Sequence, residues 1–205
     1  MKRLAIFVSG SGSDMQSVID GIERKEIDAE IVLVVASKPG IYAIERAEKY
    51  GIPHEIYCKK DYDSLEGMYE RLIARLKALD VDYVLLAGYL TILTPNMIQA
   101  FPNRIVNIHP SLIPAFCGKG FYGLKVHQAA IDYGVKLTGV TVHFVDEGAD
   151  TGCIIAQEAV SVKSTDTAEE LQKRVLEVEH RLLPEVMALI CRDKVHIEGR
   201  KVSIE

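Results

Sequence analysis

Residues 4–13 read Leu4-Ala5-Ile6-Phe7-Val8-Ser9-Gly10-Ser11-Gly12-Ser13, five apolar residues running straight into a glycine-rich turn. The apolar run has the length of a buried strand, and helical patterning follows the turn over residues 13–25. The same unit recurs downstream. Residues 30–36 (Glu-Ile-Val-Leu-Val-Val-Ala) form a second strand, followed by a helix near 41–49. Over 62–79 the apolar residues Leu65, Met68, Tyr69, Leu72, Ile73, Leu76 and Leu79 keep helical spacing, and strands are expected at 81–87 and 104–109. Strands alternating with helices imply right-handed crossovers, hence a mostly parallel twisted sheet with helices on both faces.

The second half changes character. Residues 136–145 and 154–162 are long β-rich runs joined by Asp146-Glu147-Gly148-Ala149-Asp150-Thr151-Gly152, which predicts an antiparallel extension of the sheet. A long helix is expected over 167–190, opened by a capping box of Thr167 and Glu170. Its apolar stripe is Leu171, Val175, Val178, Leu182, Val186 and Leu189, with a kink expected at Pro184. Residues 194–204 read as a small hairpin turning at Glu198-Gly199. With no repeat, low-complexity stretch or linker, residues 1–205 are expected to form a single α/β domain of Rossmann-like type.

Composition narrows the function. The 48% hydrophobic and 26% charged residues are ordinary globular values, which argues against disorder. The 24 basic and 29 acidic side chains leave a formal charge of -5, so no basic face for nucleic acid is expected. Any anionic ligand must be held by local devices. Cys58, Cys117, Cys153 and Cys191 show no close spacing, so reduced thiols are expected rather than a zinc or redox site. The opening apolar run is too short for a signal peptide, and the longest one, 83–90, falls far short of the roughly 20 residues that span a bilayer. A soluble, cytoplasmic protein without membrane partners is the expectation.

The glycine turn stands where a strand ends and a helix begins. Free N–H groups there suit an anion. A dinucleotide fingerprint would need a third glycine where Met15 stands, and an acid where Ser37-Lys38 ends the second strand. A single phosphate is the better ligand, although the loop alone is equally compatible with a plain tight turn. Asp14 is awkward beside a phosphate, so backbone N–H groups are the expected contact.

The most informative stretch is Arg104-Ile105-Val106-Asn107-Ile108-His109-Pro110-Ser111. Residues two apart on a strand share a face, so Asn107 and His109 are neighbours at the carboxyl end of a buried strand. They are either satisfied core polar groups or a functional pair. As a pair they suit acyl-type transfer: the amide donates to a developing oxyanion and the imidazole moves protons. The acidic loop 146–152 offers a carboxylate to orient such a histidine. His143 reads equally as a packed strand histidine or a ligand. A zinc site from His109, His143 and Asp150 lacks a supporting H-x-x-x-H or H-x-x-E-H motif, and Ser111 lacks the G-x-S-x-G elbow of a serine hydrolase.

Asn107-Ile108-His109-Pro110-Ser111-Leu112-Ile113-Pro114-Ala115-Phe116, with Thr138-Gly139-Val140-Thr141-Val142-His143-Phe144-Val145 leading into the acidic loop and Ser9–Ser13 at the start, resembles the glycinamide ribonucleotide formyltransferases of the folate-dependent formyltransferase family. The similarity covers essentially the whole chain. It implies an enzyme of purine biosynthesis that transfers formyl from 10-formyltetrahydrofolate to the amine of glycinamide ribonucleotide, with small-molecule substrates and no metal. By resemblance the catalytic residues are Asn107, His109 and Asp150, with Asp150 stabilising the imidazolium of His109. The ribonucleotide would meet Gly12, Ser13, Asp14, Met15 and Glu179. Folate would meet Leu90, Thr91, Ile92, Leu93, Asn107, Val145 and Asp146. Three positions depart from many relatives, which have asparagine at Asp14, arginine at Thr91 and a basic residue near Leu65. Loop 112–122, with Gly118 and Gly120, is expected to act as a lid. The competing readings are a formyltetrahydrofolate deformylase, with water as acceptor, and a catalytically silent nucleotide-phosphate binding module. Methionyl-tRNA formyltransferase is disfavoured because the loop after Ser111 reads Ile113-Pro114-Ala115-Phe116-Cys117-Gly118, without the arginine expected there.

Overall fold

The apolar run near the N-terminus becomes β1 (Lys2–Val8), in which Leu4, Ala5, Ile6, Phe7 and Val8 are all fully buried. Burial of consecutive residues, rather than alternate ones, means that both faces of the strand are covered. β2 (Ala29–Ala36) shows the same pattern. The computed structural model describes Met1–Glu205 and divides into two units, Met1–Asn107 and Ile108–Glu205.

The first unit continues with β3 (His54–Ile56), β4 (Tyr83–Ala87) and β5 (Ile105–His109), the last of which crosses the boundary between the units. Between the strands lie α1 (Ser13–Glu23), α2 (Tyr42–Lys49), α3 (Leu65–Ala78) and α4 (Pro95–Ala100). β2 pairs parallel with β1 and β3, and β4 pairs parallel with β1 and β5. The chain therefore steps outward from β1 to β3, then returns to the other side of β1 for β4. That reversal leaves a switch point between β1 and β4, where ligands of open α/β sheets bind beyond the strand carboxyl ends. The core is made by β1, β2 and β4 with Met15 and Val18 of α1 and with Met68, Tyr69, Leu72 and Leu76 of α3.

The second unit contains α5 (Leu124–Tyr133), β6 (Leu137–Phe144), β7 (Ile154–Ser161) and α6 (Ala168–Cys191). It ends in a separate hairpin, β8 (Val195–Glu198) with β9 (Lys201–Ile204). β6 and β7 pair antiparallel, and α6 packs on α5, β6 and β7. The strand order is β3-β2-β1-β4-β5-β6-β7, a mostly parallel sheet with an antiparallel C-terminal extension, as expected. No helix is long and apolar enough to cross a membrane.

Several boundaries differ from the pattern-based ones for identifiable reasons. α3 starts three residues late because Ser64 caps it, its hydroxyl accepting from the Gly67 N–H at 3.0 Å. α6 does carry the capping box of Thr167 and Glu170, and it continues past Pro184 to Cys191. The C-terminal turn is Gly199-Arg200, since Glu198 already pairs with Lys201. β3, α4 and α5 had no clear signal. β3 is three residues long, α4 six, and α5 buries only Val126, His127 and Ala130, too few apolar positions to mark a stripe.

Candidate active site

In the first unit the glycine turn is held from outside. Gly12 is the N-cap of α1 in a left-handed conformation (φ 71°), and a Cβ there would lie 2.7 Å from that of Ala43. Both facts require glycine. Three successive carbonyls of the turn are engaged: Gly10 accepts from the Ala43 N–H (3.2 Å), Ser11 from Arg46 Nε (2.9 Å) and Gly12 from the Gln16 N–H (2.9 Å). With the carbonyls tied down, the amino end of α1 is left to present donors, the arrangement an anion needs. Arg46 also reaches Gln16 Oε1 at 2.9 Å and lies over the Tyr42 ring, which sets a fixed cation beside the turn. Sequence pattern alone gave no sign of that cation, which comes from α2 rather than from the turn itself. Ser13 and Asp14 are half-buried, whereas Met15 is fully buried, so any ligand contact at Met15 falls to its backbone.

After β4 the chain turns at Gly88 and exposes Leu90 (60%) and Ile92 (76%), while Thr91 and Leu93 are half-buried. This apolar segment is anchored beneath. Tyr89 lies edge-on to Phe7, its hydroxyl sits 3.2 Å from that of Tyr69, and Thr91 hydrogen bonds to it. Burial pushes the Tyr89 phenol up, so it stays neutral. Leu65 is half-buried at the start of α3. Asn107, half-buried, stands two residues before His109 on β5.

In the second unit His109 is 5% exposed and is gripped through both ring nitrogens. Nε2 lies 2.9 Å from the carbonyl of Phe116, and Nδ1 lies 3.8 Å from Asp150 Oδ2. A carbonyl can only accept, so Nε2 carries the proton, and in the neutral ring Nδ1 is the basic atom. Asp150 Oδ2 also accepts from the Gly118 N–H at 2.8 Å, while Oδ1 lies 3.7 Å from His143 Nε2. His143 gives Nδ1–H to the Phe144 carbonyl at 2.8 Å, and burial pushes its pKa down. Phe116 and Asp150 are both left-handed (φ 50° and 58°). Such backbone is costly away from glycine, and here it accompanies the carbonyl and the carboxylate that face His109.

The acidic loop is closed by Asp146, whose Oδ1 accepts from the Gly148 N–H (3.1 Å) and the Thr151 hydroxyl (2.6 Å). Val145 and Asp146 are half-buried at its start. Gly152 admits no side chain, since a Cβ would fall 1.8 Å from the Phe144 carbonyl. Ser111 is fully buried and gives its hydroxyl to Ala115 O at 2.6 Å, so it is a structural group of the loop. Thr141 is its partner on β6, donating to Ser111 O and accepting from the Ile113 N–H and from Gln157. No group of three or more His, Cys, Asp or Glu side chains is arranged to hold a metal ion. Glu179 of α6 is 5% exposed within the stripe of Leu171, Val175 and Leu182. A carboxylate is seldom kept there without a purpose.

Pattern reading missed three contributors. The Phe116 carbonyl and the Gly118 N–H are backbone groups, which no residue type announces. His127 of α5 is 1% exposed, its Nδ1 has no hydrogen-bond partner, and burial with nearby His109 holds its pKa down to about 4. A histidine among apolar helix positions was its only signal.

Residues 2–187 match the family model described as "Formyl transferase". The chain belongs to the formyl transferase family. Among relatives, this formyl transferase is 45% identical over 195 residues to the chloroplastic phosphoribosylglycinamide formyltransferase of Arabidopsis thaliana, covering 95% of the chain and 67% of that protein. It is 38% identical to the phosphoribosylglycinamide formyltransferase of Bacillus subtilis, over 91% of the chain and 93% of the relative. The crystal structure of glycinamide ribonucleotide transformylase 1 from Symbiobacterium toebii superposes with a TM-score of 0.94 at 41% identity, covering 100% of this chain and 94% of that one.

Proposed function

We propose that this formyl transferase moves the formyl group of 10-formyltetrahydrofolate to the amine of glycinamide ribonucleotide, a step of de novo purine (IMP) biosynthesis, as a single cytoplasmic domain without metal, nucleic-acid or membrane partners. The observation that carries the reading is the grip on His109, with the Phe116 carbonyl on Nε2 and Asp150 on the Nδ1 side. With an acceptor facing each ring nitrogen, the imidazole is held in one orientation.

The amine attacks the formyl carbon and its lone pair becomes the new C–N bond, while the carbonyl electrons move to oxygen. Asn107, as amide donor, and protonated His109 stabilise that oxyanion. Collapse breaks the bond from the formyl carbon to folate nitrogen. The proton lost by the amine reaches that nitrogen with help from His109 and Asp150. Gly12, Ser13, Asp14 and Met15 hold the phosphate through N–H groups, with Arg46 behind the turn, and Glu179 meets the ribose end. Leu90, Thr91, Ile92 and Leu93 with Val145 and Asp146 receive the folate, whose ring faces suit the exposed side chains of Leu90 and Ile92 and whose polar edge needs hydrogen bonds.

Purified protein given 10-formyltetrahydrofolate is expected to release tetrahydrofolate only when glycinamide ribonucleotide is added. Equal release with water as sole acceptor would replace this reading with a deformylase. Ribonucleotide binding without turnover would leave a silent module.

A further inference from the structure

Ser9 is the first residue beyond β1, and it stands at the switch point of the sheet. Val8 pairs with Ala36 of β2 on one side and with Ala87 of β4 on the other. Its side chain, in a residue 7% exposed, reaches both flanks. The Ser37 hydroxyl donates to Ser9 Oγ at 2.8 Å, and the Leu90 N–H donates to the same oxygen at 2.9 Å. One hydroxyl thus ties the start of the glycine turn to the segment that follows β4. The Ser37 N–H closes the same corner by bonding Val8 O at 3.0 Å.

The position matters because of what Leu90 begins. Gly88 has left the β conformation, and the chain then runs through two strongly exposed apolar residues, Leu90 and Ile92, with little side-chain burial to hold it. An exposed apolar segment keeps a fixed shape only if its backbone is pinned. The Tyr69–Tyr89–Thr91 hydroxyl chain pins side chains, and Ser9 pins the main chain.

We propose that Ser9 is a positioning residue for this reaction: its hydroxyl holds the folate-contacting segment through the Leu90 N–H and sets it at a fixed separation from the ribonucleotide turn. The inference rests on the proposed assignment of those two segments to the two substrates. Ser9 touches neither reacting group. Its effect is on binding, because it preorganises the surface that the folate meets.

The test compares Ser9→Ala with Ser37→Ala in the full chain. Ser9→Ala is expected to raise KM for 10-formyltetrahydrofolate about tenfold, in line with the loss of one buried hydrogen bond, with kcat at saturation kept within about threefold. Amide exchange at Leu90 is expected to quicken by a similar factor while the amides of β1 and β4 keep their protection. Ser37→Ala leaves the Leu90 bond in place and is expected to keep the folate KM within about twofold. Wild-type KM and exchange in Ser9→Ala, a fall in kcat alone, or equal effects of the two variants would overturn the proposal. Should Ser9→Ala fail to fold, Ser9→Cys keeps the volume, weakens the acceptor and carries the same comparison. If the wild-type chain turns over neither substrate, the functional reading has failed, and exchange at Leu90 still decides whether Ser9 holds the segment.

Discussion

Asp150 concentrates three roles in one side chain. It accepts from the Gly118 N–H, faces Nδ1 of His109 and faces Nε2 of His143, all from a left-handed backbone. Asparagine tolerates that backbone and still accepts from Gly118, so Asp150→Asn removes charge and little else. Its kcat is expected to fall at least about 100-fold while ribonucleotide affinity stays within about twofold. His109→Ala should behave alike, with the added loss of the proton carrier. Steady-state kinetics beside a binding titration separates the two effects, and wild-type turnover in either variant would remove that residue from the chemistry. That Asn107 and His109 share a face was legible from their i, i+2 spacing on a strand, and the loop of acids and glycines offered a carboxylate, with Asp150 singled out only by the family resemblance. The groups that orient them were not, because the carbonyl of Phe116 and the amide of Gly118 belong to the backbone.

At the scale of elements, legibility followed length and periodicity. The buried strands of the first unit and the capped α6 are long, regular patterns, and the sheet class followed from their alternation. α5 carried no readable signal because glycines flank it and its buried face mixes Val126 and Ala130 with His127. The loop before α5 is tied to His109 and Asp150 by two hydrogen bonds, His109 to the Phe116 carbonyl and the Gly118 N–H to Asp150. It lacks strands or helices of its own, so these ties carry its order. Amides over 112–122 are expected to exchange faster in Asp150→Asn than in the wild type, and to slow when both substrate sites are filled. Equal exchange with and without ligands would deny it a lid role. The cap of α6 is a separate, local matter. Thr167→Ala loses the acceptor for the Glu170 N–H and is expected to cost about 1 kcal/mol, read as a lower urea midpoint with kcat unchanged.

For the whole molecule, the net charge of -5 leaves any anion to local donors, and Arg46 sets a cation on the Ser11 carbonyl of the glycine turn. The same economy of charge governs acid stability. His127 and His143 are buried with pKa values pushed below the ordinary 6.5, His127 to about 4, in both cases chiefly by burial. Both are neutral in the folded chain near neutrality and take up protons readily only when unfolded. Their contribution is therefore complete above about pH 6.5, where neither state is protonated, and is lost as pH falls toward the folded values. Between pH 6.5 and 4 the unfolded chain binds nearly one more proton at His127, a slope of about 1.4 kcal/mol per pH unit from that group at its steepest. Nearby His109 adds to the effect by repelling a charge at His127. Urea midpoints are expected to hold steady from pH 8 to 7 and to drop between 6.5 and 4. His127→Phe, which fills the site without a titrating group, is expected to flatten that drop by up to one proton's worth. A variant whose midpoint falls as steeply as the wild type would show that His127 is not held neutral in the fold.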